Sequence, residues 1–142
     1  MVNVGNYHQY RQVQVTTSGR VKLVVMLYNG AIRSLKRAVE LLEKGEMGKK
    51  GDHIIKAQDI LMELNLALDM KAGGEIARNL RRIYLYVYRT LSEANFHKST
   101  AKIEEAIKLL SVLNDAWEAV AVGKTDIETI SPTLRTVAEM VA

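Results

Sequence analysis

The stretch that decides the fold is KLVVMLYNGAI, residues 22–32, which opens the longest helical pattern in the chain. Apolar and small side chains recur there every three or four residues, which is the spacing of one helix face. We expect this face to hold Leu23, Leu27, Gly30/Ala31, Ser34/Leu35, Ala38 and Leu41/Leu42. We therefore predict an amphipathic helix over residues 20–44. Glycine in the middle of a helix costs roughly 1 kcal/mol relative to alanine, so Gly30 predicts a close neighbour at this point.

Three more helical patterns follow. The second helix is predicted to start after a cap at Asp52, the third near Glu75, and the fourth after Ser99 or Thr100. Four helices of about 20 residues with short loops predict an all-α protein, an antiparallel up-down-up-down four-helix bundle. The residues of helices two to four that we expect to face the core are Ile54, Ala57, Leu61, Leu64, Leu68; Ile76, Leu80, Ile83, Val87, Leu91, Ala94; and Ile103, Ala106, Ile107, Leu110, Leu113, Trp117, Val120.

The two ends of the chain have weaker patterns. Residues 1–19 are polar and β-branched and are predicted to form an irregular arm, whose Tyr7 and Tyr10 either dock on an apolar surface or fray with it. Ser131 and Pro132 predict the start of a short fifth helix, which either docks on the bundle or is disordered. Its apolar side holds Leu134, Val137, Ala138 and Val141. We expect one domain, with the arm at 1–19, the bundle at 20–121 and a tail at 122–142.

The composition narrows the class of protein. The chain has 142 residues, no cysteine and a net charge of +4, which excludes disulfides and zinc–thiolate sites. No segment reads as a signal peptide, and none approaches the roughly 18–20 apolar residues of a membrane span. We therefore expect a cytoplasmic protein without membrane insertion. The basic residues alternate with acidic ones, which does not favour nucleic acid as a partner.

The sequence contains no recognisable catalytic or metal-binding motif. His8, His53 and His97 lie in separate segments, and HExxH, P-loop and GxGxxG patterns are absent. We predict no enzyme activity, no cofactor and no metal site. The alternative is a histidine phosphotransfer module using His53, because residues 53–57 (HIIKA) resemble the His-x-x-Lys-Gly of those bundles. However, His53 is expected at the start of the second helix, directly after its cap, and Ala57 replaces the glycine.

More informative is the apolar excess outside the predicted seams. Large exposed apolar patches usually mark an interaction site, and Asn65 and Asn79, which flank the seams, can bond the backbone of an incoming chain or bond within the bundle. Arginines at 78, 81, 82 and 89 form a stripe that either is solvated or meets an acidic partner. The apolar residues away from the heptad positions are Ile55, Met62, Leu66, Tyr84, Tyr88 and Val112.

Taken in order, several short motifs resemble a known family, the flagellar export chaperones that bind flagellin (the FliS family). The resemblance covers roughly residues 7–121. It rests on the Tyr7-x-x-Tyr10 pair and on the segments 12–15 (QVQV), 23–32 (LVVMLYNGAI), 56–58 (KAQ), 63–65 (ELN), 68–69 (LD), 73–80 (GGEIARNL), 91–95 (LSEAN) and 116–117 (AW). The chain departs from the family at residues 17–20, where TSGR replaces Thr-Ala-Ser-Pro, and at Asn29, where aspartate is common.

The resemblance implies a bundle that holds the C-terminal segment of flagellin in apolar grooves in the cytoplasm. That binding would block premature polymerisation, and the chaperone would present its client to the export gate of the flagellar type III apparatus. In the family, the N-terminal arm covers part of the groove and is displaced by the client. The resemblance therefore implies that Tyr7 and Tyr10 act as an internal pseudo-ligand.

Overall fold

The computed structural model describes residues 17–142, and every regular element within them is a helix. The helices are α1 (Thr17–Glu43), α2 (Met47–Leu66), α3 (Gly74–His97), α4 (Thr100–Ala121) and α5 (Ile127–Met140). α1 packs against α2 and α4, and α3 packs against the same two helices. Short connections between consecutive neighbours make them antiparallel. The predicted four-helix bundle is therefore confirmed.

The core lies along the central axis of the four-helix bundle. Tyr28 of α1 and Tyr84 of α3 meet across it, and their hydroxyls are 2.7 Å apart. The indole N–H of Trp117 also lies near the Tyr28 hydroxyl, although it forms no hydrogen bond among the described residues. Burial is the main reason why the pKa values of both tyrosines are raised. Because each hydroxyl oxygen has the other as a hydrogen-bond partner, the cost of burying both rings is reduced.

The buried face of α1 is rotated relative to the prediction in its first half. Leu23 and Leu27 are only half-buried, whereas Val21 and Tyr28 are buried. In the second half, the predicted positions from Ala31 to Leu41 are buried as expected. Periodicity alone favoured the leucines, but the hydrogen bond to Tyr84 allows the larger tyrosine to fill the centre.

The start of α2 was predicted wrongly. The helix begins at Met47 and not after Asp52, and Glu46 precedes it without a side-chain cap. Gly45 has a φ of +77°, so the chain reverses there and the glycine-rich segment that follows is already helical. Lys50, in the first turn, is buried and donates to the Asn95 carbonyl (3.2 Å) and to its side-chain oxygen (2.7 Å). This contact with α3 stabilises a turn that has poor helix propensity.

The starts of α3 and α4 agree with the sequence. α3 begins at Gly74. At Gly73, an added Cβ would stand 2.6 Å from the Cβ of Ala77, so only glycine fits. The Ser99 hydroxyl accepts a hydrogen bond from the Lys102 amide at 3.2 Å, which confirms the predicted cap of α4.

The fifth helix docks on the bundle but begins earlier than predicted. Asp126 caps it by accepting from the Thr129 amide at 2.8 Å, so Pro132 lies inside the helix and not at its first position. α5 packs against α3 and α4. Its buried residues are Ile130, Leu134, Val137 and Ala138, while Val141 is half-buried.

Candidate partner-binding surface

Exposed apolar side chains line the outer edge of the α2–α3 pair. Ile55, Met62 and Leu66 lie on one face of α2 at i, i+7 and i+11, and all three are exposed, Leu66 by 78%. Leu85 is exposed on α3, and Tyr88 is half-buried there. We call these five residues the α2–α3 surface. They lie outside a core that is already complete, so their apolar area is available to a partner.

Polar contacts fix the two helices beneath this surface. The Gln58 side chain donates to the Tyr88 carbonyl (3.1 Å) and to the Ser92 hydroxyl (2.8 Å). Asn65 is half-buried beside Leu66, and its side-chain oxygen is buried without a partner among the described residues. An unpaired acceptor at a seam is costly unless something donates to it. An N–H group of a bound chain would meet that need.

Tyr84 does not belong to any exposed surface. It is 2% exposed and bonded to Tyr28 in the core, so the prediction of an outward, off-seam position is wrong. The physical reason is the buried partner hydroxyl, which a pattern of apolar spacing does not reveal.

Asn79 and Val112 lie away from the α2–α3 surface. Asn79 is buried on α3, one turn after Glu75, and its side-chain nitrogen has no hydrogen bond of acceptable geometry among the described residues. Val112 is exposed on α4 and lines a groove of about 240 Å³ between α3, α4 and α5. We call it the second groove, to distinguish it from the α2–α3 surface. The other residues lining that groove are Tyr86, Glu105, Lys108, Leu109, Val137, Met140 and Val141.

Tyr7 and Tyr10 lie outside the described residues. The structure also exposes apolar side chains that the sequence reasoning missed, namely Met26, Leu85 and Phe96, the last by 81%. Leu85 lies off the predicted seam of α3 just as Tyr84 and Tyr88 do, so the same signal was present. Met26 lies inside the family-like motif, and because its neighbours are also apolar, the spacing did not indicate that it faces outward.

The arginine stripe on α3 is exposed along its length, at positions 78, 81, 82 and 89. Within residues 17–142, none of these arginines forms an ion pair of 4.0 Å or less.

One acid that lines the second groove has a hydrogen-bond partner, since the Tyr86 hydroxyl donates to the Glu105 carboxylate at 2.9 Å. That hydrogen bond is the main reason why the pKa of Tyr86 is raised.

His53 is not at the start of α2. The helix begins six residues earlier, at Met47, and His53 is half-buried, with its Nδ1 atom buried and unpartnered among the described residues. The expectation that His53 directly follows the cap of this helix is therefore wrong. The prediction failed because α2 starts earlier than expected, and the Lys50–Asn95 contact stabilises that early start.

The part of the chain that the structure describes contains neither a metal-binding cluster nor a membrane-spanning helix. No three histidine, aspartate or glutamate side chains within it converge as a metal ion would require. None of its helices combines the length and apolar character needed to cross a membrane.

Comparison with known proteins is consistent with this architecture. Residues 2–124 match the family "Flagellar protein FliS". The chain is 36% identical over 126 residues to the flagellar secretion chaperone FliS of Salmonella typhimurium, covering 85% of this chain and 93% of that one. It is 33% identical over 112 residues to the Bacillus subtilis FliS, covering 79% and 83%. A Pseudomonas aeruginosa relative, FliSB, is 34% identical over 117 residues, covering 80% and 93%. These relatives are named as chaperones and not as enzymes, and the match extends over most of the chain, which therefore belongs to the FliS family.

Proposed function

We propose that this protein is a cytoplasmic export chaperone that binds the C-terminal segment of flagellin. By holding that segment it prevents premature filament polymerisation and delivers the subunit to the gate of the flagellar type III export apparatus. The observation that carries the proposal is the α2–α3 surface, an apolar stripe outside a complete core. Membership of a family whose relatives are named flagellar secretion chaperones supports it.

The geometry of this surface suits an amphipathic helix or an extended chain. Residues spaced at i, i+7 and i+11 along α2 form a stripe parallel to the helix axis, against which the apolar face of a client helix can lie. The unpaired Asn65 oxygen at the seam supplies an acceptor for the client. A client that orders on binding loses conformational entropy, so a long wrapped interface is needed to offset that cost.

The N-terminal arm gives the proposal a regulatory part. A segment tethered to the bundle competes for its surface at an effective concentration on the order of millimolar. If the arm with Tyr7 and Tyr10 covers the surface, the apparent affinity for the client falls in proportion to the open fraction. Removing residues 1–15 should then raise the association rate of the client, and an unchanged rate would remove the arm from the proposal while leaving the chaperone role intact.

The decisive experiment measures binding of a flagellin C-terminal peptide by calorimetry. Wild-type protein should form a complex at micromolar concentration. Leu66→Glu should weaken it by about tenfold or more, because burying a leucine contributes roughly 1.5–3 kcal/mol and 1.4 kcal/mol is tenfold. Val122→Glu is the matched control, since Val122 is similarly exposed but directly follows α4 and lines neither groove. No complex with wild-type protein would contradict the proposal, and equal losses in both variants would remove the α2–α3 surface.

The phosphotransfer alternative is tested separately. His53 is half-buried, and Ala57 occupies the position where that class has glycine to let a receiver domain approach. We expect no transfer when the protein is incubated with a phosphorylated receiver domain. Phosphate appearing on the wild-type chain but not on His53→Gln would favour the alternative.

A further inference from the structure

A notch of about 200 Å³ opens between α1 and α2, separate from the α2–α3 surface. It is lined by Gly30, Arg33 and Ser34 of α1 and by His53 and Lys56 of α2. Gly30 is not there to permit a tight helix contact. An added Cβ would stand 3.5 Å from the Ile60 side chain, an ordinary van der Waals distance. A methyl group would therefore fit at this position in ordinary contact with Ile60, and the glycine leaves that room to the notch.

The Arg33 guanidinium lies over this space. One of its terminal nitrogens is 3.9 Å from the point where a Gly30 Cβ would stand, so the side chain folds back along α1 towards the notch. Within residues 17–142, Arg33 forms no ion pair of 4.0 Å or less. The same holds for Lys56, although Asp52 and Asp59 lie one turn away on its own helix. Two cations thus border the notch, and no carboxylate of residues 17–142 lies within 4.0 Å of either.

One polar group between these cations also lacks a partner. The Nδ1 atom of His53 is buried and makes no hydrogen bond with the described residues. Ser34, on the α1 side, is itself buried. A buried nitrogen without a partner is unfavourable, and an unpaired guanidinium beside it attracts negative charge. An anion between the two cations would balance their charge and, with the His53 proton on Nδ1, would accept a hydrogen bond from it.

We infer that the notch binds a phosphate-sized oxyanion. The guanidinium supplies a forked pair of donors, the Lys56 ammonium a mobile point charge, and the Ser34 hydroxyl and the His53 imidazole two further polar contacts. Donors stand on both α1 and α2, so a tetrahedral dianion can accept from both helices at once, whereas a planar carboxylate has only two oxygens. The volume holds one phosphate with a few waters, each of which takes about 30 Å³.

The test uses inorganic phosphate as the probe, followed by amide NMR shifts at pH 7 and constant ionic strength. Saturable shifts are expected at residues 30, 34, 53 and 56, with a dissociation constant in the millimolar range. Arg33→Gln and Lys56→Gln should each weaken binding about tenfold, since each removes a charge-assisted hydrogen bond. Lys36→Gln is the charge-matched control, because Lys36 is exposed one turn further along α1 and outside the notch.

The remaining arms define the ligand. Sulfate should compete with phosphate, and O-phosphoserine should bind as well as phosphate because the notch is open on one side, whereas acetate should not saturate. Shifts that rise linearly without saturation, or an equal loss in Lys36→Gln and Arg33→Gln, would overturn the inference. If acetate saturates the shifts as tightly as phosphate, the notch is a carboxylate site and not a phosphate site. Client binding is not part of this test, so its outcome is independent of the proposed function.

Discussion

The four-helix bundle and α5 bury leucines equally well but in different surroundings. Leu113 of α4 and Leu134 of α5 are both 0% exposed. Leu113 belongs to a helix that packs against α1, α3 and α5, whereas α5 contacts only α3 and α4 among the described helices. Equal burial of one side chain therefore does not mean equal coupling to the whole fold. A helix held on one side can detach while the ring beneath it stays folded.

The polar contacts of the two regions differ in the same way. In the bundle, Tyr28 and Tyr84 share a buried hydrogen bond of 2.7 Å. The main polar contact of α5 is the pair of Arg135 with Glu75 of α3, whose shorter N···O distance is 2.6 Å, with both side chains about half exposed. Solvent screens such a pair, so it orients α5 more than it stabilises the protein.

The boundary of the family match follows this division. The match ends at residue 124, and α5 begins at Ile127. The family match therefore spans the bundle, and α5, which covers part of α3 and α4, lies beyond its end. Three predictions test how separate the two regions are.

The largest effect is expected for Leu113→Ala in the bundle. The substitution leaves a cavity among helices that cannot collapse into it, and it should lower the free energy of unfolding by about 2–5 kcal/mol. Urea denaturation followed by circular dichroism should show a lower midpoint with an unchanged slope. If the free energy of unfolding falls by less than about 1 kcal/mol, the bundle interior adapts to the missing side chain. That result would contradict the stronger coupling of α4 than of α5 to the whole fold.

A smaller effect on the whole protein is expected for Leu134→Ala in α5. The loss cannot exceed the free energy with which α5 docks, because beyond that point the helix detaches and the bundle remains folded. Hydrogen exchange should show fast exchange at residues 127–140 while the amides of α4 stay protected. Thr133→Ala, at an exposed position next to it, is the control. Faster exchange in all helices together would show that α5 is part of the cooperative core.

The smallest effect is expected for Glu75→Gln, and it should depend on pH. The hydrogen bond and charge of Arg135 lower the pKa of Glu75 below its unfolded value of 4.5. A lowered pKa means that the stabilisation is present above pH 4.5 and is lost as pH falls through the folded value. The difference in Tm between wild type and Glu75→Gln should therefore be present at pH 7 and shrink as the pH falls below 4.5.

A double-mutant cycle identifies the source of that difference. Glu75→Gln combined with Arg135→Gln should cost no more than either substitution alone, and the difference should shrink at high salt. A difference that persists unchanged at pH 3 would assign it to packing and not to charge.

The candidate site was partly predictable from the sequence. Ile55, Met62, Leu66 and Val112 are exposed apolar residues as expected, because an apolar residue off the heptad seam has no core to enter. Tyr84 has the same kind of spacing but is buried, because its hydroxyl pairs with that of Tyr28, 56 residues earlier in the chain. Spacing along one helix carries no information about a partner on a helix that lies across the bundle.

The sequence by itself determined the helices of the bundle, the cap at Ser99 and which side of the fifth helix is apolar. These depend on periodicity and on contacts within one turn, which are local. Only the tertiary structure decided where α2 begins, where Tyr84 points and that Gly30 lines a notch together with His53. Each of these depends on atoms far apart in the chain, such as the Lys50 ammonium on Asn95 and Ile60 facing Gly30. Local propensity is weak at a glycine-rich turn or a lone tyrosine, so the long-range contact decides the outcome there.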